Sequence, residues 1–288
     1  MIGSLRAVLT GRIDYAGLFP PAALSMADAV ANYAAYRDSP DGWALARFVV
    51  PVVRLEEFEA AAEPHLHSAP WCLSVLAQAS DEEVLGAFNA RMEGLALADT
   101  VESRAASVDD VHALTPLASI ATVYVELPVH DDPEPLIAAV ASRGLRAKIR
   151  TGGITADAFP TPAQVARFLA ACARHGVTLK ATAGLHHPLR GDYALTYAAN
   201  APRGTMFGYL NVFLAASFAR RGMAEADLVP LLELRDASAL QFSDAGVTWR
   251  GQALSSATLA ADRAGFAVSF GSCSFREPLD DLSALPLP

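Results

Sequence analysis

The stretch 145-LRAKIRTGG-153 sets three cations, Arg146, Lys148 and Arg150, at every second position, with Leu145, Ala147 and Ile149 between them. A period of two marks a strand with one polar and one apolar face. Such a face is either a solvated sheet edge or the wall of a site. The following segment, 177-VTLKATAG-184, alternates Thr178, Lys180 and Thr182 with Val177, Leu179 and Ala181. The preceding one, 121-ATVYVEL-127, alternates Thr122, Tyr124 and Glu126 with Val123, Val125 and Leu127. Three adjacent edges do not exist. In a parallel barrel one side of every strand faces helices and is apolar, so the polar side points into the lumen and, near the strand's C-terminal end, toward the mouth. The alternation therefore predicts that Glu126, Lys148 and Lys180 converge on one lumen.

Working outward, further strand-like runs fall at 11–19, 47–53, 71–77, 95–101 and 266–272, with helical patterns at 25–37, 81–92, 107–118, 133–144 and 161–176. Ser25 with Asp28, and Ser107 with Asp110, read as helix N-caps. Gly144 and Gly176 stand where helices stop before the next strand. Eight strands with helices between them predict an α/β fold, a single closed (β/α)8 barrel over residues 1–288, a length close to the typical ~250 residues. A doubly wound sheet would place a glycine-rich loop after its first strand, but that position reads AGLFPP. About 80 residues separate strands seven and eight. There 204-GTMFGYLNVFLAASFARRG-222 reads as a helix and 240-LQFSDAGVTWRG-251 as a hairpin around Asp244-Ala245-Gly246. The segment 192–264 is expected at one end of the barrel as a lid or a subunit contact. Its Tyr209, Phe213 and Phe218 read as core or subunit contact rather than ligand stacking.

Apolar residues make up 52% of the 288 and charged residues 18%, enough to bury a sizeable core. A net charge of −9 and a pI near 5.2 argue against nucleic acid as a partner. No apolar run reaches the roughly 18 residues of a membrane span, and the N-terminal MIGSLRAVLTGRID lacks the apolar core of a secretory signal. Cys72, Cys172 and Cys273 are scattered without zinc-like spacing. The expectation is a soluble cytoplasmic protein with reduced thiols, acting on a small molecule without a cofactor, with a homo-oligomer permitted. Each cysteine reads as a small core residue. Cys273, at the end of strand eight, has a nucleophile's address, but no histidine follows it closely.

Two lysines and a carboxylate in a confined lumen have a recognisable chemistry. A lysine attacks carbonyls when its pKa is lowered by burial or by a second cation, here Lys180 beside Lys148 with Arg150 adding to the effect. A carboxylate then moves protons at carbon. The same lysines could instead serve as electrostatic ligands for an anionic substrate. Gly152-Gly153 read either as a plain turn or as an anion cradle at the next helix. Arg190 reads as an anion clamp. His186-His187 read as substrate contacts or loop structure in preference to a metal pair, which needs wider spacing and a carboxylate.

Several segments, in order, resemble the deoxyribose-phosphate aldolase family of class I aldolases. Strand one, 13-IDYAGLFPPA, is similar to that family's I-D-H-T-x-L-x-P-x-A, and 48-FVVPVV to V-x-V-N-P-x-x-V. The runs 98-ADTVE and 124-YVEL lie over I-D-M-V-I-N and I-L-E-T. Strand six, 148-KIRTGG, resembles K-T-S-T-G-F, strand seven, 180-KATAGL, resembles K-A-S-G-G-I, and 270-FGSCS resembles F-G-A-S-S. The resemblance implies Lys148 as the Schiff-base lysine, Lys180 as the second lysine that lowers its pKa, and Asp99 as the acid, with Glu102 a rival in the same region and Glu126 close by. It also sets Thr151 and Ser272 on the substrate side. Departures are Tyr15 and Ala16 where the family has histidine and threonine, Val50 in place of its asparagine, and Ile149 and Arg150 after the strand-six lysine. In 184-GLHHPLRG, His186, His187 and Arg190 crowd the family's phosphate-holding loop, which implies a pocket rebuilt for a carboxylate or a larger substrate. The expected function is a class I aldolase-type lyase acting on a small carbonyl compound with an anionic group. The alternatives are a cofactor-free or metal-assisted isomerase or hydrolase in which Glu126 and His187 handle protons and the lysines bind anions, and a non-catalytic metabolite-binding relative.

Overall fold

The computed structural model describes residues 2–67 and 69–286. Seven parallel strands follow one another around the barrel: β1 (Ile13–Tyr15), β2 (Leu45–Pro51), β3 (Trp71–Leu76), β4 (Ala96–Arg104), β5 (Thr122–Glu126), β6 (Arg146–Arg150) and β7 (Leu179–Thr182). Two small antiparallel sheets come next in the chain. One is the hairpin β8 (Gly191–Ala194)–β9 (Arg203–Met206); the other joins β10 (Gln241–Phe242), β11 (Gly246–Trp249) and β12 (Gln252–Ser255). The eighth stave, β13 (Ala267–Ser272), pairs with both β7 and β1 and closes the cylinder. The fold is a closed eight-stranded α/β barrel with added sheets between its seventh and eighth strands.

Around it run α1 (Gly3–Leu9), α2 (Met26–Arg37), α3 (Leu55–Ala62), α4 (Glu82–Arg91), α5 (Val108–Ala113), α6 (Glu134–Ser142) and α7 (Pro162–Arg174). Then follow α8 (Tyr209–Ala219), α9 (Glu225–Leu232), α10 (Ser256–Gly265) and α11 (Arg276–Ala284). Ser25 accepts a hydrogen bond from the Asp28 N–H, and both Ser107–Asp110 and Thr161–Gln164 form reciprocal capping boxes. Gly144 and Gly176 take φ of +64° and +65°, the left-handed turn that ends α6 and α7. Among the described residues no helix is long and apolar enough to cross a membrane.

The boundaries differ from the sequence pattern for local reasons. β4 runs to Arg104, beyond the expected 101, and carries an irregularity: Leu73 pairs with Ala98 but Ser74 with Thr100, leaving Asp99 as an extra residue. Helix α5 ends at Ala113, and the proline-containing Thr115–Ser119 continues as a tighter turn. Residues 203–206 pair as β9, so the expected helix at 204 begins only at Tyr209. The hairpin at 244–246 forms, with β12 as a third strand. Helices α1, α3, α9, α10 and α11 were not anticipated from the pattern.

Apolar residues on the outer face of the strands, including Phe48, Leu73, Val75, Ile149, Ala181 and Phe270, are buried under the helices. One cluster joins Tyr33, Phe48, Phe58 and Trp71, with Tyr33 and Trp71 ring centres 4.7 Å apart. On the opposite side α8 is buried on every face, Tyr209 stacking on Phe270 at 5.4 Å. Tyr209, Phe213 and Phe218 thus belong to the core. Phe48 is fully buried between Tyr33 and Phe58. Phe48→Ala is expected to lower the unfolding free energy by about 3–5 kcal/mol, measured by equilibrium denaturation.

Candidate active site

In parallel strands, residues paired in register share a face, and the pairs Glu102–Tyr124, Glu126–Lys148 and Lys148–Lys180 bring these side chains inward. Glu102 lies between the two lysines. Its Oε2 is 2.6 Å from Lys148 Nζ and its Oε1 is 2.5 Å from Lys180 Nζ. Lys148 also meets Glu126 Oε2 at 2.8 Å, and Lys180 meets Asp14 Oδ2 at 2.6 Å. Hydroxyls complete the set: Ser74 donates to Glu102 Oε1 at 2.6 Å and Ser269 to Asp14 Oδ2 at 2.7 Å. Lys148, Lys180, Glu102 and Asp14 are all buried.

Charge balance decides how such a group survives burial. Burial by itself pushes the Lys180 ammonium down, but Asp14 and Glu102 outweigh it, and the group is held above the ordinary lysine value. Burial likewise pushes Glu102 up, and Lys148 and Lys180 reverse this, holding its carboxyl well below the usual range. Burial pushes Glu126 up too, and Lys148 and Arg150 bring it below its ordinary value. The two lysines do not face each other directly: the Glu102 carboxylate separates them, and with Asp14 it holds Lys180 as a cation.

A cavity of about 430 Å³ opens above this network. Its floor includes Lys148 and Glu102, Arg150 stands at its rim, and its walls include Gly152, Gly153, His186 and His187. Lys180 does not line it and lies behind Glu102. Residues 194–197 and Met206 of the β8–β9 hairpin also line the cavity, so this part of the 192–264 segment covers the mouth.

The other expected residues divide. Asp99 is not brought to the lysines: it forms a two-pronged pair with Arg47 at 2.6 and 2.7 Å, toward the N-terminal ends of the strands. The carboxylate between the lysines is its rival, Glu102. Arg150 donates to Glu126 Oε1 at 2.9 Å at the mouth. The Thr151 hydroxyl is spent on the Ala183 carbonyl at 2.6 Å, which ties β6 to the loop after β7. Gly152 and Gly153 are not at a helix start, since α7 begins at Pro162. A Cβ on Gly152 would lie 2.3 Å from the Phe159 ring, so close packing explains that glycine. His187 Nδ1 is 2.5 Å from Asp281 and its ring stacks on Tyr193. Arg190 is turned away from the cavity, over the Phe207 ring, and Ser272 sits behind His186, donating to the Ser274 carbonyl. Thr178 falls outside β7, its hydroxyl bonded to the Gly265 carbonyl. Among the described residues no group of three or more His, Cys, Asp or Glu side chains is placed to hold a metal ion.

Sequence reasoning missed Asp14 and Ser74 as partners of Lys180, and Glu277 and Asp281 as partners of the histidine pair. A plainer signal was available for the lysines. Lys148 and Lys180 are the only lysines in the chain; the other 20 cationic residues of this type are arginines.

No family model matches the chain, and no curated protein matches it. Among solved structures it is similar in part to the crystal structure of lysine/ornithine decarboxylase complexed with cadaverine from Vibrio vulnificus, with a TM-score of 0.38 and 11% identity over 62% of this chain. The match spans 48% of that chain, about half its length. A likeness at this level carries no functional argument; the barrel rests on its own strand pairing.

Removing the shared carboxylate tests the network. Glu102→Gln leaves two buried ammoniums short of a counter-charge and is expected to destabilise the fold by about 3–5 kcal/mol. In the unaltered protein the depressed Glu102 contributes stability that is present above the unfolded value of about 4.3 and is lost as pH falls through its folded value. Lys180 contributes stability that is present below the unfolded lysine value of about 10.4 and lost as pH rises through its folded value. Denaturation midpoints across pH should therefore decline below about pH 4.3, and the acid decline should shrink in Glu102→Gln.

Proposed function

We propose that the protein is a lyase of the class I aldolase type, making or breaking a carbon–carbon bond through an imine on Lys148. The observation that carries this reading is the use of lysine at two positions only, one opening on the cavity and the other locked behind it. Arginine keeps its charge under all ordinary conditions, whereas lysine can give up a proton and become a nucleophile. At Lys180 the compact ammonium serves as a fixed cation between Asp14 and Glu102, whereas Lys148, open to the cavity, is the lysine placed to react.

Glu102 is suited to move the protons. It touches Lys148 directly and reaches the cavity. As a carbonyl compound arrives, Glu102 ferries the two protons that Lys148 sheds to the carbonyl oxygen, which leaves as water while nitrogen bonds carbon. The iminium then draws electrons from the adjacent bond; in the cleavage direction that bond breaks to an enamine and an aldehyde. Lys180 and Asp14 hold Glu102 in place, and Glu126 aims the Lys148 amine. Arg150, at the rim, is suited to an anionic group on the substrate. The resemblance to the deoxyribose-phosphate aldolase family supports the same role for Lys148, with Glu102 in place of Asp99 as the acid.

Incubation with small aldehydes and ketones followed by borohydride should leave one stable adduct, mapped to Lys148 by peptide mass analysis. Lys148→Met should abolish it, and Glu102→Gln should slow its formation by about 100- to 10,000-fold. Adducts confined to Lys180 or the N-terminal amine, or an adduct yield unchanged in Lys148→Met, would overturn the reading.

A further inference from the structure

The wall of the same cavity holds a second reactive cluster that the imine chemistry does not use. Cys273 directly follows β13, His186 lies in the connection after β7, and Glu277 is in the first turn of α11; all three line the cavity. His186 Nε2 is 3.9 Å from Cys273 Sγ, and His186 Nδ1 is 3.0 Å from Glu277 Oε2. The imidazole thus presents one nitrogen to a thiol and the other to a carboxylate, the order in which a base is set between a nucleophile and the group that orients it. Tyr197 closes the cluster, its hydroxyl 3.6 Å from Cys273 Sγ and 3.1 Å from Glu277.

We infer that Cys273 is a nucleophile for a small activated acyl compound, an ester or thioester, with His186 as its proton carrier and Glu277 as the residue that positions the ring. This assignment stands apart from the Lys148 imine. In the first step Cys273 Sγ bonds to the acyl carbon, the bond to the leaving oxygen or sulfur breaks, and His186 Nε2–H gives that atom its proton. In the second, His186 takes a proton from water, the hydroxyl bonds to the acyl carbon, and the carbon–sulfur bond breaks. The carboxylic acid leaves, and thiolate and imidazolium are restored.

The electrostatics support the geometry. Burial pushes His186 down, but Cys273 and Glu277 outweigh it and raise the ring to about 9. Burial pushes the Cys273 thiol up, and His186, Tyr197 and the Ala22 N–H reverse this. Facing the pair are also Tyr15, from β1, and His187, which acts on Glu277. Among the described residues the other two thiols have no His or Tyr hydrogen-bond partner. Exposed Cys72, on β3, and buried Cys172, in α7, are both pushed up by burial.

The test uses the intact chain and two probes. p-Nitrophenyl acetate should release a burst of one nitrophenolate per chain, place one acetyl group on Cys273, and then turn over slowly. Iodoacetamide, applied below the usual thiol value of about 8.5, should modify Cys273 ahead of the more exposed Cys72. Cys273→Ser should abolish the burst, and His186→Gln should slow acylation by about 100-fold or more. Acetyl groups found only elsewhere would overturn the inference. So would modification of Cys72 with Cys273 untouched, or an unchanged acylation rate in His186→Gln. Because borohydride adducts read amines and the acetyl burst reads the Cys273 thiol, failure here leaves the imine reading standing, and the reverse holds.

Discussion

The structure depends on a single carboxylate shared by two ammonium groups. Glu102 accepts from Lys148 on one oxygen and from Lys180 and Ser74 on the other. Burying an ion costs several kcal/mol unless partners surround it, so none of these groups is tolerable alone. Every stave contributes to the solution: Asp14 from β1, the Arg47 N–H from β2, Ser74 from β3, Glu102 from β4, Glu126 from β5, Lys148 from β6, Lys180 from β7 and Ser269 from β13. The polar centre thus ties all eight strands together from inside, as the apolar outer face ties them to the helices.

The alternating cations of β6 occupy three levels of that lumen. Arg146 donates to the Tyr124 hydroxyl below, Lys148 holds the middle, and Arg150 pairs with Glu126 at the rim. This much was legible, because a period of two in a parallel barrel has one interpretation once neighbouring strands share it. The choice of acid was not. The extra residue in β4 breaks the alternation at Asp99, and a shift of one position is invisible to pattern reasoning. The small helices α3, α9 and α11 escaped notice for another reason: they are eight or nine residues long, too short for a periodic signal to stand out.

Cys273 illustrates a different limit. Its histidine lies 87 positions earlier, and its carboxylate arrives on the helix that follows it. A search along the chain for a nearby His could not find an adjacency that exists only after closure of the barrel between β7 and β13. The doublet His186-His187 carried the signal instead. Glu277 and Asp281, one helical turn apart on α11, face the two rings in turn.

The hairpin β8–β9 contributes Ala194, Leu195, Thr196, Tyr197 and Met206 to the ceiling of the cavity, while the charged floor comes from the staves. Most of the shape is therefore encoded apart from the charged floor, with Tyr197 the hairpin residue that also touches Cys273 and Glu277. Exchange of Ala194, Leu195, Thr196 or Met206 can resize the compartment without touching the buried lysine–carboxylate network, which leaves this scaffold free to diversify what it admits while that network is inherited intact.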